Sequence, residues 1–474
     1  MRATEELREL ALSTKFCCDL MLICLICCDL IHNQGSLRQQ HLARTFFTVS
    51  LCRGLCPLRS VCPSRCFCFD CHRACHRRHE ASGDKQRTIE DCPNATKPGR
   101  MPPTSTSLLL AFFIPLIQGQ FADVGRLESD LADFLAVPRF TQAEKHIAVQ
   151  RIVEELERLE IRVTLQMFES PNTATFGYNI VGILAGPNYG TSEDQLVVLG
   201  ANYDTPKGQS GLDENGSGVA AVLEVARIVS EIQKLYKSGN SLMFVFFDLK
   251  HSNFAGSNAF VSEILLPSLR RTKTIIASVI ILDGLLNFDP FPTSQATPLD
   301  FEKHFPNEFY RLHEHLFMGD FLQIVGRNTI DTELMHRVGE NFNGFLGLRS
   351  KFEFDPWVLY LPLPFESVTS ILDIYKLQEY LDGDHSSFIF NHPNDGSAVI
   401  PVVYVTDTLK LRGMKQYCPH CDSLLLLTET NLNFLATAVD AVAITALELS
   451  QSAVVQEIRS NEGTLRSLFG APRL

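Results

Sequence analysis

Beyond residue 120 the apolar positions switch repeatedly between a helical and a strand period, and the switches predict the elements in order. Helical spacing covers 125–134 and 141–160; in the second, Ile147, Val153, Leu156 and Leu159 recur with charges between them. Residues 161–168 alternate as a strand, 178–184 form a second, and 196–199 a third, buried one. A polar loop and a glycine-rich turn follow, opening a helix at Ser217 with Val219, Val222, Leu223, Ala226 and Val229 on one face. The unbroken apolar run SLMFVFF at 241–247 fits a strand covered on both faces. After it come a short helix at 256–266, a buried strand at 274–282, a helix with a charged face at 301–322, a strong strand at 399–405 and a closing helix at 430–449. Residues 327–378, with Trp357 and the run WVLYLPLPF, fit either an insertion lining a cleft or a structural rim. Strands alternating with helices over about 280 residues predict an α/β domain, a three-layer sandwich whose mixed, mostly parallel central sheet is covered by helices.

Composition changes this picture at the front of the chain. Of the 474 residues, the first hundred carry fifteen Lys and Arg against ten Asp and Glu, whereas the whole chain has a net charge of −12. Thirteen of the fifteen cysteines precede residue 93. Residues 1–100 are therefore expected to be a basic, Cys-rich segment outside the fold, disordered or an artefact of gene modelling. Its run 16–31 is apolar but broken by Asp19 and Asp29. The series Cys52, Cys56, Cys62, Cys66, Cys68, Cys71 and Cys75, with His72, His76 and His79, lacks two clean CxxC pairs, so the pattern does not make a zinc module. The ten apolar residues 108–117 are too short to span a bilayer and match a signal-peptide core, with Gly119 as the small residue for cleavage. This reading starts translation at Met101, takes 101–119 as the signal peptide, and makes the protein secreted, touching membrane through the cleaved signal alone. It places N-terminal helices and a strand at 120–170, the main α/β domain at 171–450 and a tail at 451–474. The acidic main body excludes nucleic acid as a partner.

Candidate chemistry gathers in the stretch VVLGANYDTPKGQSGLDENGSGVAA at 197–221. A strand ending in Asn202 and Asp204 sets both at the carboxyl edge of the sheet, where open α/β folds build their sites. Asp213 and Glu214 add carboxylates beside a helix N-terminus, for which Ser217 reads as the N-cap. The sequon Asn215-Gly216-Ser217 lies inside this turn and is expected to be too buried for glycosylation.

These blocks, together with YNIVGILAG at 178–186, FVFFDLKHSNFAGSNAF at 244–260, VIILDG at 279–284, DHSSF at 384–388 and PVVYVTDT…YCPHCD at 401–422, resemble the zinc aminopeptidases of metallopeptidase family 28. The resemblance implies two zinc ions held by a His, a bridging Asp, a Glu, a second Asp and a final His, with a neighbouring Glu as general base for a metal-bound water. Carried over, those ligand positions fall on Asn202, Glu214, His251, Asp283 and Cys418, of which Asp283 alone is unchanged. The general-base position holds Lys250, which cannot act as a carboxylate. Asp204 stands in the second shell, without an imidazole to orient. The resemblance also places Asp384, His385 and Ser386 in the pocket wall. Cys418-Pro419-His420-Cys421 has the form of a thiol–disulfide exchange motif, yet its late position favours a structural disulfide between Cys418 and Cys421. The expected protein is thus a secreted pseudopeptidase whose zinc site has degenerated and whose old cleft binds a peptide or protein. The alternatives are an active zinc aminopeptidase with an altered one-metal site, using Glu214, His251, Asp283 and Cys418 with His420 as a spare, and a thiol oxidoreductase.

Overall fold

The computed structural model describes residues 121–171, 175–235, 238–346, 352, 355–364, 375–390 and 399–451. The expectations for 1–100, for the signal peptide at 101–119 and for the tail beyond 451 lie outside the described residues.

Helix α1 (Val124–Asp130) starts at Asp123, whose carboxylate accepts the Arg126 N–H, and its last turns run on through Leu131–Leu135. Helix α2 (Gln142–Arg158) opens with a reciprocal cap: the Thr141 hydroxyl accepts the Glu144 N–H, and the Glu144 carboxylate accepts the Thr141 N–H at 2.7 Å. Strands β1 (Arg162–Glu169), β2 (Phe176–Leu184) and β3 (Gln195–Asn202) follow, then α3 (Gly218–Leu235) and β4 (Leu242–Phe247). Next come α4 (Ala255–Ala259), α5 (Leu266–Thr272), β5 (Ile275–Leu282), α6 (Phe301–His304) and α7 (Pro306–Glu314). The chain closes with β6 (Phe321–Arg327), α8 (Thr332–Leu346), β7 (Trp357–Leu363), α9 (His385–Phe390), β8 (Val402–Thr406) and α10 (Glu429–Leu449).

The eight described strands form one sheet in the order β1-β2-β4-β3-β5-β8-β6-β7. β3 lies parallel between β4 and β5, Leu199 facing Phe244 on one side and Ile280 on the other, and β8 continues the parallel set beside β5. The pairs β1/β2, β2/β4 and β6/β8 are antiparallel. Side chains alternate across this sheet. Val197, Leu199 and Ala201 of β3 pack toward α1, α2, α3, α8 and α10, whereas Leu196 and Val198 join a second core with Phe260, Phe301, Leu312 and Phe388. The result is the expected three-layer α/β sandwich with a mixed, mostly parallel sheet. Helix α10 is long and apolar enough to cross a membrane, but 83% of its apolar window is buried inside the protein.

Two predicted boundaries change. The helix expected over 301–322 ends at Glu314, because Leu316 and Phe317 take positive φ and turn the chain into β6. Within 327–378 the described residues include α8, which packs against α10, and β7, which pairs with β6 at the edge of the sheet. β8 begins at Val402, after Pro401, which has no N–H to give a ladder.

Candidate functional site at the carboxyl edge of the sheet

The parallel register sets Asn202 at the end of β3 opposite Phe247 at the end of β4, with the end of β5 on the other side. Beyond these ends the chain delivers Asp204, Lys250 and Asp283 to one place. The Lys250 ammonium lies 2.5 Å from Asp283 Oδ2 and 3.5 Å from Glu214 Oε1. The Lys250 and Asp283 side chains are 4% and 1% exposed, whereas that of Glu214 keeps 26%. The Tyr404 hydroxyl donates to Asp283 Oδ2 at 3.0 Å, and the Lys250 N–H donates to Asp204 Oδ1 at 3.1 Å. Burial works against the ammonium, but Asp283 and Glu214 outweigh it and hold the Lys250 pKa above the ordinary lysine value.

Asn202 has both ends of its amide engaged. Its Oδ1 accepts from Asn215 Nδ2 at 2.9 Å, and its Nδ2 donates to the Asp204 carbonyl at 3.1 Å and to Asp204 Oδ1 at 3.3 Å. Asn215 also replaces Ser217 as the cap of α3, since its Oδ1 accepts the Gly218 N–H at 3.0 Å. The Ser217 hydroxyl is turned inward instead, donating to the Asp213 carbonyl and accepting the Leu285 N–H, both at 2.8 Å. Asn215 is buried, as expected for the sequon.

A second buried lysine completes the turn. Lys415 pairs with Asp213, and Asp213 and Asp407 together hold its pKa above the usual value against the effect of burial. Asp422 accepts the backbone N–H of Asp213 at 2.6 Å and of Glu214 at 3.0 Å. Between these two anchors, Cys418 and Cys421 form a disulfide. The segment 415–422 is thus a cross-linked strap fastened to the acidic turn at both ends.

Arg139 fixes the other side of the turn. Its buried guanidinium donates to the carbonyls of Leu135, Tyr203 (2.8 Å), Val137 (2.8 Å), Ser210 (3.1 Å) and Gly211 (2.8 Å). Burial pulls its pKa down to about 10, so it stays charged at neutral pH. Gly211 sits at φ +57, where a Cβ would meet the Glu214 carbonyl and the Thr205 side chain at 2.5 Å. Arg139→Met removes the donors and strands several carbonyls; it is expected to cost about 2–3 kcal/mol in urea unfolding, at an unchanged m value.

The carried-over metal positions come together only in part in this structure. Glu214 and Asp283 come together, but with an ammonium between them. Asn202 is an amide already engaged in hydrogen bonds, His251 is exposed on the turn after β4, and the Cys418 sulfur is in a disulfide rather than a thiolate. Among the described residues no group of three or more His, Cys, Asp and Glu side chains converges as a metal site. Sequence reasoning missed Lys415, Tyr404, Arg139 and the capping role of Asn215; no spacing rule marks a lysine or an arginine for burial.

Behind this cluster, the Ser257 hydroxyl donates to Asp384 Oδ1 at 2.5 Å. The His385 ring stacks on Tyr404 with centroids 4.5 Å apart, its Nε2 donating to the Tyr380 carbonyl at 3.1 Å.

Residues 179–307 match the model of Peptidase family M28. The chain is 29% identical over 161 residues to the Uncharacterized protein YfbL of Escherichia coli (strain K12), covering 31% of this chain and 45% of that one. It is 27% identical over 142 residues to Leupeptin-inactivating enzyme 1 of Streptomyces exfoliatus, covering 30% and 28%. These matches span less than half the length of either relative. Among solved structures, BSAP, a zinc aminopeptidase from Bacillus subtilis, aligns at 15% identity over 69% of this chain and 95% of that one, with a TM-score of 0.45. The chain is metallopeptidase-like, resembling Peptidase family M28 over residues 179–307.

Proposed function

We propose that this chain is a secreted, non-hydrolytic relative of the zinc aminopeptidases, binding a peptide or protein segment in the cleft at the carboxyl ends of β3, β4 and β5. The observation that carries this reading is Lys250, whose ammonium sits 2.5 Å from Asp283 and 3.5 Å from Glu214. An ammonium has no lone pair to take a proton from water, so the position that serves the family as general base cannot do that work here. The same ammonium fills the space between the two carboxylates that a metal ion would have to share. Binding has what it needs nearby. Glu214 keeps an exposed edge that suits a peptide amine, and Met414, Tyr417, Leu424 and Leu425 are exposed on and beside the strap. Secretion rests on the apolar run 108–117.

Zinc content and hydrolysis test this together. Purified protein is expected to hold far less than one zinc per chain and to cleave leucine p-nitroanilide no faster with zinc than with 1,10-phenanthroline, since loss of a general base alone costs typically ~10²–10⁴-fold. Near-stoichiometric zinc with phenanthroline-sensitive hydrolysis would overturn the proposal in favour of a peptidase with an altered one-metal site.

A further inference from the structure

Between β8 and α10 the strap is built of single 3₁₀ turns, Gly413–Gln416 and Pro419–Cys421, too short to hold a shape alone. It nevertheless carries two grips on the acidic turn. Lys415 takes the Asp213 carboxylate, and Asp422 takes the Asp213 N–H at 2.6 Å and the Glu214 N–H at 3.0 Å. Both grips close together when the strap presents Lys415 and Asp422 at the spacing the turn sets. The Cys418–Cys421 bond lies between them and fixes that spacing.

This disulfide acts locally. Its cysteines are three positions apart, so it closes a small ring and constrains little of the unfolded chain; a bond that staples a whole fold joins distant elements. It also lies near solvent. Both cysteines are half-buried, and Tyr417 and His420 beside them are exposed. Exchange requires a thiolate to reach a disulfide sulfur, and exposed disulfides are the labile ones. What the strap holds belongs to the candidate site: Glu214 has its N–H on Asp422 and its carboxylate 3.5 Å from Lys250.

We propose that Cys418–Cys421 is an exchangeable latch: a small dithiol reductant opens it, and the acidic turn at 211–217 then loosens while the sheet stays folded. The dithiol attacks one sulfur and releases the other as a thiol; its second thiol then displaces the sulfur it holds, and the reductant leaves as a disulfide. Two electrons and two protons pass to the protein, leaving two cysteine thiols. With the ring open, the spacing of Lys415 and Asp422 is no longer fixed, and Asp422 loses its hold on the Asp213 and Glu214 N–H groups. The latch acts on the turn itself and stands whether or not the cleft takes a peptide.

Hydrogen exchange read by mass spectrometry on the full chain, with and without dithiothreitol and in the absence of denaturant, tests this. Alkylation mapped by peptide is expected to label Cys418 and Cys421 after reduction and neither before it. Amides of 211–217 should exchange about tenfold faster or more in the reduced protein, while those of β3, β4 and β5 keep their protection. The double variant Cys418→Ser with Cys421→Ser should exchange as fast without reductant and respond no further to it. That arm separates this bond from the thirteen cysteines before residue 93. Labelling that needs urea, unchanged exchange at 211–217, or a rise that spreads equally through β3, β4 and β5 would each overturn the proposal. If the double variant does not fold, mapped labelling and exchange of the reduced parent chain still decide.

Discussion

Lys250→Met is expected to destabilise the fold by about 3–5 kcal/mol, the loss typical when one member of a buried ion pair is removed. Methionine matches the lysine stem in size, so packing is largely kept and the charge is what goes. What remains is Asp283, 1% exposed, with Oδ1 already lacking a partner and Oδ2 left with the Tyr404 hydroxyl alone, and Glu214 beside it with the same sign. Two like charges in a poorly hydrated place, with no counter-ion, are the costly arrangement. Urea unfolding at pH 7 would show a lower midpoint at constant m. The double variant Lys250→Met with Asp283→Asn removes the orphaned charge too, and should recover most of the loss. A cost below about 1 kcal/mol for the single variant, the value of an exposed pair, would mean that Lys250 is not the counter-ion of this cluster.

That expectation marks where sequence reading ran out. The parallel centre was legible because VVLG, LMFVFF and ASVIIL are continuous apolar runs, a pattern that a sheet covered on both faces imposes. The strand end at Asn202 and the turn at 211–217 were legible because their glycines and small polar residues must lie where a strand gives way to a helix. β6 was not, because the helical spacing before it runs on into FLQIVGR, and only the positive φ values at Leu316 and Phe317 break the period. At the site, chain positions could be assigned but partners could not. Lys250 could be placed at the general-base position from FFDLKH, yet nothing in the sequence says that its stem reaches between Asp283 and Glu214. Lys415 lies 202 residues from Asp213 and in a polar segment, where a solvated side chain is the default reading. Asp422, which no spacing rule singles out, holds two backbone N–H groups of the turn. Long-range pairing of buried charges has no period, so it leaves no local mark.

The same buried cluster predicts two pH dependences of opposite sign at adjacent positions, so that substituting either residue should reveal the other. Burial is the main cause of both shifts. It raises the Asp384 carboxyl from near 3.8 to about 7, although the Ser257 hydroxyl and Lys250 oppose the rise. It also lowers the His385 imidazole from near 6.5 to about 3, assisted by Lys250 and Arg327 and opposed by the Tyr380 carbonyl. An acid whose folded pKa is raised stabilises the fold below its unfolded pKa, and that contribution is lost as pH rises from about 4 to 7. A base whose folded pKa is lowered stabilises the fold above its unfolded pKa, and that contribution is lost as pH falls from 6.5 toward 3. At about 1.4 kcal/mol per unit, the full swings are about 4 kcal/mol for Asp384 and about 5 kcal/mol for His385. Between pH 4.5 and 6.5 they nearly cancel, so the intact pair contributes little net slope there. Asp384→Asn should therefore lose stability relative to the parent as pH falls through that window, by more than about 1 kcal/mol per unit. His385→Gln should gain relative to the parent over the same interval, because no imidazole remains to take up a proton on unfolding. Urea midpoints at pH 4.5, 5.5 and 6.5 for the three proteins read this directly. Parallel curves, or slopes of the same sign in both variants, would show that the two groups do not titrate against each other in the folded core.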